Sequence, residues 1–377
     1  MTDNSSRRAF IAAGSGAFLI LKPETVRGYQ ANSALTVGMI GVGRRGTAIG
    51  GLFIKNEHCR MTELCDIYDD QLAAGLKAFP GAKTFKDYRS LLASDVDAVY
   101  IATPPYLHPE HFEAAVAAKK HIFMEKPAGV DVAGCKRVLA AAKKADKSKR
   151  ITVDYQQRYG KEYRAAYDIV KRGDLGGIKQ IRASWLSGGL PVRSGHPASE
   201  EKMRNWLFYR ELSGDIIVEQ DCHNIDVINW FMGTHPVKAS GYGSRMVRKE
   251  PGNILDNLAV TFQFADGTVF SYSANQFTYG GFQDVGETFL CEKGTMYTSR
   301  LGYKMWNKAA RRADPEEATT KYDITMDAVN DFVDGARTGR LENAAVAAVE
   351  STLTAIMARE AIYSGKEKTW AEFGVTL

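Results

Sequence analysis

The chain has 377 residues, room for two or three domains. Hydrophobic residues make up 45% and charged residues 25%, so a largely disordered chain is excluded. A formal net charge of +5, from 49 basic and 44 acidic side chains, is too small and too evenly spread to point to nucleic acid.

The N-terminal segment reads as separate from the fold. Ser6-Arg7-Arg8-Ala9-Phe10-Ile11 resembles the twin-arginine export signal, and a weakly apolar stretch from Ile11 to Leu21 follows it. That stretch is too short to span a bilayer comfortably, and Ala31-Asn32-Ser33-Ala34 offers small residues for cleavage. Residues 1–33 are therefore expected to direct export to the periplasm, leaving no stable membrane anchor. Five cysteines without a C-x-x-C pair argue against a disulfide framework or a zinc site.

Leu35 to Ile40 is a short run of β-formers ending at Gly41-Val42-Gly43-Arg44-Arg45-Gly46, and a helix is expected over 47–54. In a G-x-G-x-x-G turn the first glycine permits the bend and the second lets backbone approach a pyrophosphate. The third lets helix and strand pack closely. The phosphates then rest on the free N–H groups of the helix N-terminus. A second strand, Cys59 to Cys65, ends at Asp66, 20 residues after Gly46. A carboxylate there bonds the ribose hydroxyls of NAD and repels the extra phosphate of NADP. Asp66 could instead cap the helix expected over 69–77. Arg44 and Arg45 could pair with phosphate, which leaves NADP open as a second cofactor.

The alternation continues with a strand over 97–102, a helix over 109–119 and a strand over 121–124. A helix over 131–144 and a strand over 151–155 follow. This predicts an α/β doubly wound parallel sheet of Rossmann type over residues 34–158. Ligands bind such sheets at the carboxyl ends of the strands. Thr103, Pro104 and His108 follow one strand, Glu125 and Lys126 another, and Gln157 and Arg158 a third.

With the glycine loop, Asp66, Ala102-Thr103-Pro104 and Glu125-Lys126-Pro127 in this order, the chain resembles the glucose–fructose oxidoreductase, inositol dehydrogenase and MocA (Gfo/Idh/MocA) family. The resemblance runs from about residue 35 onward. It implies an NAD(P)-dependent oxidoreductase acting on a hydroxyl of a sugar, glycoside or polyol. Cofactor contacts fall to Gly41, Gly43, Arg44, Arg45, Gly46, Asp66, Thr103, Pro104, His108, Glu125 and Lys126. By resemblance Lys126 moves the hydroxyl proton. A lysine desolvated against a cationic ring can have its pKa lowered to suit that task.

The second constellation is Glu219-Gln220-Asp221-Cys222-His223-Asn224-Ile225-Asp226. On one helix Glu219 and His223 would share a face. The family usually shows Asp, His four residues later and Asp three beyond. Here Glu219 stands in the first position and Asp221 replaces a small residue. Glu219 and His223 are expected to be catalytic with Lys126, Glu219 orienting a hydroxyl or the imidazole. Gln157, Arg158, Trp206, Glu219 and His223 are expected to line the substrate site, with Tyr209 a weaker candidate. A structural pairing of His223 with Glu219 or Asp226 is the competing reading. The same acids and His223 could also hold zinc, but hydride transfer beside Lys126 needs no metal, and none is expected.

From about residue 178 the texture is β-rich, with strands expected over 179–186, 237–246, 258–264, 268–275, 287–291 and 295–299. A polar loop over 308–321 and helices over 324–337 and 344–364 close the chain. Residues 159–377 thus read as an α+β domain with a large open, mostly antiparallel sheet. By resemblance its open face carries a dimer or tetramer contact. Two rivals keep the same site chemistry in view. One is a glycoside hydrolase or eliminase that cycles NAD in place, and the other is a non-catalytic sugar or dinucleotide sensor.

Overall fold

The computed structural model describes residues 34–377 apart from 250, 280 and 308–314. Leu35–Leu377 form one compact unit. The proposed export segment, residues 1–33, and most of the expected 308–321 loop lie outside the described residues.

Six parallel strands form the first sheet: β1 (Leu35–Ile40), β2 (Cys59–Cys65), β3 (Lys83–Phe85), β4 (Ala98–Ile101), β5 (His121–Met124) and β6 (Ile151–Val153). Their spatial order is β3-β2-β1-β4-β5-β6, so the chain reverses direction between β1 and β4, the crevice where such sheets bind ligands. Strands β1, β4, β5 and β6 are almost wholly buried, as continuous apolar runs covered on both faces must be. β3 was not expected; its residues are mostly exposed and carry no apolar alternation. The helix after β1 begins at Arg44, earlier than the apolar pattern indicates, because its polar first turn faces outward.

The second sheet holds β7 (Ile178–Leu186), β8 (Lys238–Ser244), β9 (Asn257–Gln263), β10 (Val269–Asn275), β11 (Asp284–Cys291), β12 (Gly294–Ser299), β13 (Gly302–Asn307), β14 (Glu316–Thr319) and β15 (Lys368–Thr369). It is antiparallel except where β7 pairs with β10. β14 occupies part of the segment expected to be a loop. It pairs with β13 although its residues are polar and largely exposed, so periodicity could not reveal it.

The helix Cys222–Met232 and the long helix Ala345–Ser364 pack on one face of this sheet, bringing Phe231 flat against Phe289 at 4.5 Å. The helix Thr325–Thr338, expected to close the second domain, packs on the first sheet instead. Its Phe332 inserts edge-on against Phe53 and Phe123 at 6.0 and 5.4 Å, sealing the first sheet. Buried Arg150 fixes the same contact by pairing with Asp331 and Glu342. No helix among the described residues is long and apolar enough to cross a membrane.

Candidate functional site

The glycine loop has the form its residue types require. Gly41 adopts φ +95°, where a side chain would collide with the Ala102 backbone. A Cβ at Gly46 would strike the Gly41 carbonyl oxygen, whereas nothing lies within 4 Å of a Cβ built on Gly43. The helix Arg44–Phe53 starts with no side-chain cap and no acid in its first turn. Open space above free N–H groups at a positive helix end fits a pyrophosphate. Beyond it a cavity of about 490 Å³ runs past Gly41, Gly43, Asp66, Thr103 and Pro104. Asp66 accepts from Val42 N at 2.8 Å and Tyr68 N at 2.9 Å, which holds its carboxylate at the cavity wall. These residues fit a dinucleotide.

Several expected cofactor contacts lie elsewhere. Arg45 turns away from the loop and donates to Glu125 at 2.8 Å and Asp154 at 2.6 Å. Burial opposes its charge, but the two carboxylates outweigh that and raise its pKa. Arg45 is therefore a brace between the loop and the ends of β5 and β6. Glu125 also accepts from Tyr100 at 2.8 Å, so it serves the brace and not the cavity. His108 ties two turns together, its ring nitrogens at 2.7 Å from Pro127 O and 2.9 Å from Thr103 O. Burial holds His108 below the usual histidine pKa. Arg44 stays exposed at the helix start and forms no ion pair among the described residues. His111, which the sequence did not single out, lines the cavity and meets Thr103 Oγ1 at 3.0 Å.

The chain from Glu219 to Asp226 is not one helix. Ile216–Glu219 ends at Gln220, and a new helix starts at Cys222. Asp215 launches the segment from φ +79°, a conformation costly for a residue with a side chain. Its carboxylate accepts from Ile216 N and Leu255 N at 2.7 and 3.1 Å and from Tyr363 Oη at 2.5 Å. The break turns Glu219 toward Lys126 and not toward His223. Lys126 Nζ donates to Glu219 Oε1 at 2.8 Å and to the Glu219 carbonyl. Burial alone would lower the lysine pKa, but the Glu219 carboxylate reverses the sign and raises it. Without a cationic ring beside it, Lys126 is an ammonium.

His223 stacks on Trp185 at 5.8 Å and meets Tyr155 edge-on at 5.9 Å. It is 4% exposed, and its Nδ1 is buried without a hydrogen-bond partner. Burial first, then the charges of Arg300 and Lys126, keep its pKa well below the usual value, so the imidazole is neutral. Asp226, expected beside it, instead takes Arg158 in a two-pronged pair at 2.7 and 2.9 Å and accepts from Ser351 at 2.7 Å. Arg158 is thus an anchor for the Cys222–Met232 helix and has no guanidinium to spare for a substrate. Asp221 is buried with both carboxyl oxygens unpartnered, and burial pushes its pKa far up, making it a neutral acid. Gln157 is buried with Oε1 unpartnered. Trp206 lines the dinucleotide cavity together with Met203 and Arg204, on the cofactor side.

Trp185 and Arg300, which the sequence did not single out, complete the site with Gln156 from the segment after β6. Gln156 donates to Asp154 O at 3.0 Å and accepts from Arg300 Nη2 at 2.9 Å. Arg300 also lies over the Trp185 ring at 5.6 Å. These residues come from the end of β6, from β7 and from the β12–β13 turn, and only the pairing of the sheet brings them together.

Comparison with known proteins agrees with this arrangement. The model of the oxidoreductase family with an NAD-binding Rossmann fold matches residues 35–155, and the GFO/IDH/MocA C-terminal domain matches 163–297. Myo-inositol 2-dehydrogenase of Thermotoga maritima is 26% identical over 238 residues, 62% of this chain and 66% of that protein. An uncharacterized oxidoreductase, YrbE, of Bacillus subtilis is 25% identical over 62% of this chain and 65% of its own length. The chain thus spans a little under two-thirds of these curated relatives. The structure of levoglucosan dehydrogenase in complex with NADH and levoglucosan superposes with a TM-score of 0.77 at 19% identity, covering 89% of this chain and 99% of that one. Myo-inositol 2-dehydrogenase from Lactobacillus plantarum gives 0.72 at 21% identity, covering 89% of this chain and 99% of that one. At these identities the likeness is one of fold. With both domain models matched in order along one compact unit, the chain belongs to the Gfo/Idh/MocA family of oxidoreductases, with an NAD-binding Rossmann domain.

Proposed function

We propose that the protein oxidises a secondary hydroxyl of a sugar, glycoside or polyol with NAD, and reduces the corresponding ketone in reverse. One observation carries this reading: an ion-paired lysine ammonium, Lys126 with Glu219 at 2.8 Å, acts electrostatically on a neutral, buried His223 whose Nδ1 has no partner. The relatives named as inositol and levoglucosan dehydrogenases support the substrate class.

The nicotinamide, when bound, supplies the hydride acceptor. Lys126 donates to the substrate oxygen and stabilises the alkoxide as it forms. His223, unprotonated at neutral pH, takes the hydroxyl proton on a ring nitrogen. Glu219 keeps Lys126 charged. This reverses the roles expected from sequence, where Lys126 was the base.

The test is mass spectrometry of the purified protein for bound NAD(H), then a sugar and polyol screen for absorbance change at the cofactor. Protein carrying NAD that is reduced by no sugar or polyol would overturn the oxidoreductase reading. Export rests on Arg7 and Arg8. Conversion of both to lysine should retain the protein inside the cell, and unchanged periplasmic delivery would refute it. Association of copies through the open face of the second sheet, where Tyr242 is 85% exposed, is proposed on the same footing and is checked by light scattering of the wild type against Tyr242→Glu.

A further inference from the structure

The cations around His223 are matched within the protein, with one exception. Lys126 is paired with Glu219, Arg158 with Asp226, and Arg45 with Glu125 and Asp154. Arg300, at the turn between β12 and β13, forms no ion pair among the described residues. Its contacts are the Gln156 amide at 2.9 Å and the Trp185 ring at 5.6 Å. The residue is exposed at its turn, yet burial around the guanidinium holds its pKa below the usual value, and it reaches the residue that stacks on His223. It is not held by carboxylates as Arg45 and Arg158 are.

The carboxyls whose charges act on Arg300 or feel it, Asp154, Asp323 and Glu287, form no ion pair with it among the described residues. Asp154 and Glu287 are both buried, and burial pushes each carboxyl up to about 7. Asp154 is already committed to Arg45, and Glu287 to Asn224, Thr298 and Tyr163. Trp185 Nε1 and His223 Nδ1, on the two stacked rings beside Arg300, are buried without hydrogen-bond partners.

We propose that the substrate is an acidic sugar carrying one carboxylate, and that Arg300 binds that carboxylate while His223 and Lys126 address a hydroxyl. This rests on the oxidoreductase reading of the same site. A planar guanidinium pairs two-pronged with a carboxylate, and one unmatched positive charge suits a monoanion better than a sugar phosphate. Trp185 offers a flat apolar wall for the C–H face of the ring.

The experiment is calorimetric titration of the full NAD-loaded protein with hexuronates, the matching neutral hexoses and hexose 6-phosphates, followed by NAD reduction with each. Wild type is expected to bind a hexuronate about 10- to 100-fold tighter than its neutral parent, the usual worth of a charged hydrogen bond. Arg300→Gln should remove that preference without loss of NAD binding, and Arg300→Lys should restore part of it. Equal binding of acid and neutral sugars by wild type, a preference unchanged in Arg300→Gln, or stronger binding of the phosphates would overturn the proposal. NAD reduction by neutral sugars alone would also overturn it while leaving the oxidoreductase reading intact. Arg300-dependent hexuronate binding with no NAD reduction by any sugar would support charge recognition and count against the redox reading.

Discussion

Lys126 Nζ lies 2.8 Å from Glu219 Oε1, joining the end of β5 to the short helix before the break at Gln220. Both side chains are largely buried, at 10% and 14% exposure, so the pair holds the lysine charged where burial alone would discharge it. Lys126→Met should leave NAD binding in place, because the phosphates rest on backbone N–H groups. Turnover should fall by about 10²- to 10⁴-fold. Glu219→Gln removes the carboxylate but keeps the shape, so burial prevails and the lysine pKa drops. The basic limb of the kcat profile should then move to lower pH. A Glu219→Gln enzyme with an unmoved basic limb would show that the ion pair does not set the lysine charge.

His223 is depressed well below its usual pKa by burial, and the unfolded chain is not. The unfolded chain therefore binds a proton below about pH 6.5 that the folded chain refuses. This group's contribution is intact above that pH and is lost as the solution becomes more acid. NMR titration of the His223 ring should show no protonation between pH 6 and 8. His223→Asn should lower kcat and raise KM. Combined with Lys126→Met its loss should be less than additive, because both groups act on one hydroxyl. Full additivity in the double variant would separate the two roles.

Asp66 is held by the N–H groups of Val42 and Tyr68. The Arg204 guanidinium, stacked on Tyr68 at 3.6 Å and paired with Asp70, stands nearby. Asp66→Ser removes the charge that repels a 2′-phosphate and leaves Arg204 facing it. The ratio of NADP to NAD affinity, measured by fluorescence quenching, should rise by at least about tenfold. Wild-type protein that binds both cofactors equally would remove the basis for this role.

Glu287 is wholly buried in β11, where it accepts from Asn224 Nδ2 at 2.5 Å, Thr298 Oγ1 at 2.7 Å and Tyr163 Oη at 3.2 Å. Burial pushes its carboxyl up from 4.5 to about 7, against the pull of those bonds. An acid raised on folding stabilises fully below its unfolded pKa and loses that contribution as pH rises through the folded value. Glu287→Gln should be less stable than wild type at pH 5, since an amide cannot accept all three bonds. The gap should then narrow by about 3 kcal/mol toward pH 8, at about 1.4 kcal/mol per pKa unit. Denaturant titration at the two pH values tests this, and a gap independent of pH would place the carboxyl pKa near 4.5.

Residues 35–155 show how much local chemistry can determine. Buried parallel strands must be continuous apolar runs, and a phosphate-binding turn needs glycine where a Cβ would collide. The strand–loop–helix succession, Gly41, Gly43, Gly46, Asp66 and Lys126 were therefore legible one segment at a time. Lys126 and His223 are named through the family resemblance of their motifs, which also lie on contiguous stretches of chain. The tertiary structure decided what each charge faces. Arg45, Glu125, Arg158 and Asp226 are spent on one another. The break at Gln220 turns Glu219 to Lys126, and Phe332 returns from the far end of the chain to cover the first sheet. Trp185 and Arg300 reach the site only through the pairing of β7, β11, β12 and β13. A Coulomb interaction depends on distance in space, and separation along the chain does not report that distance until the sheets are assembled.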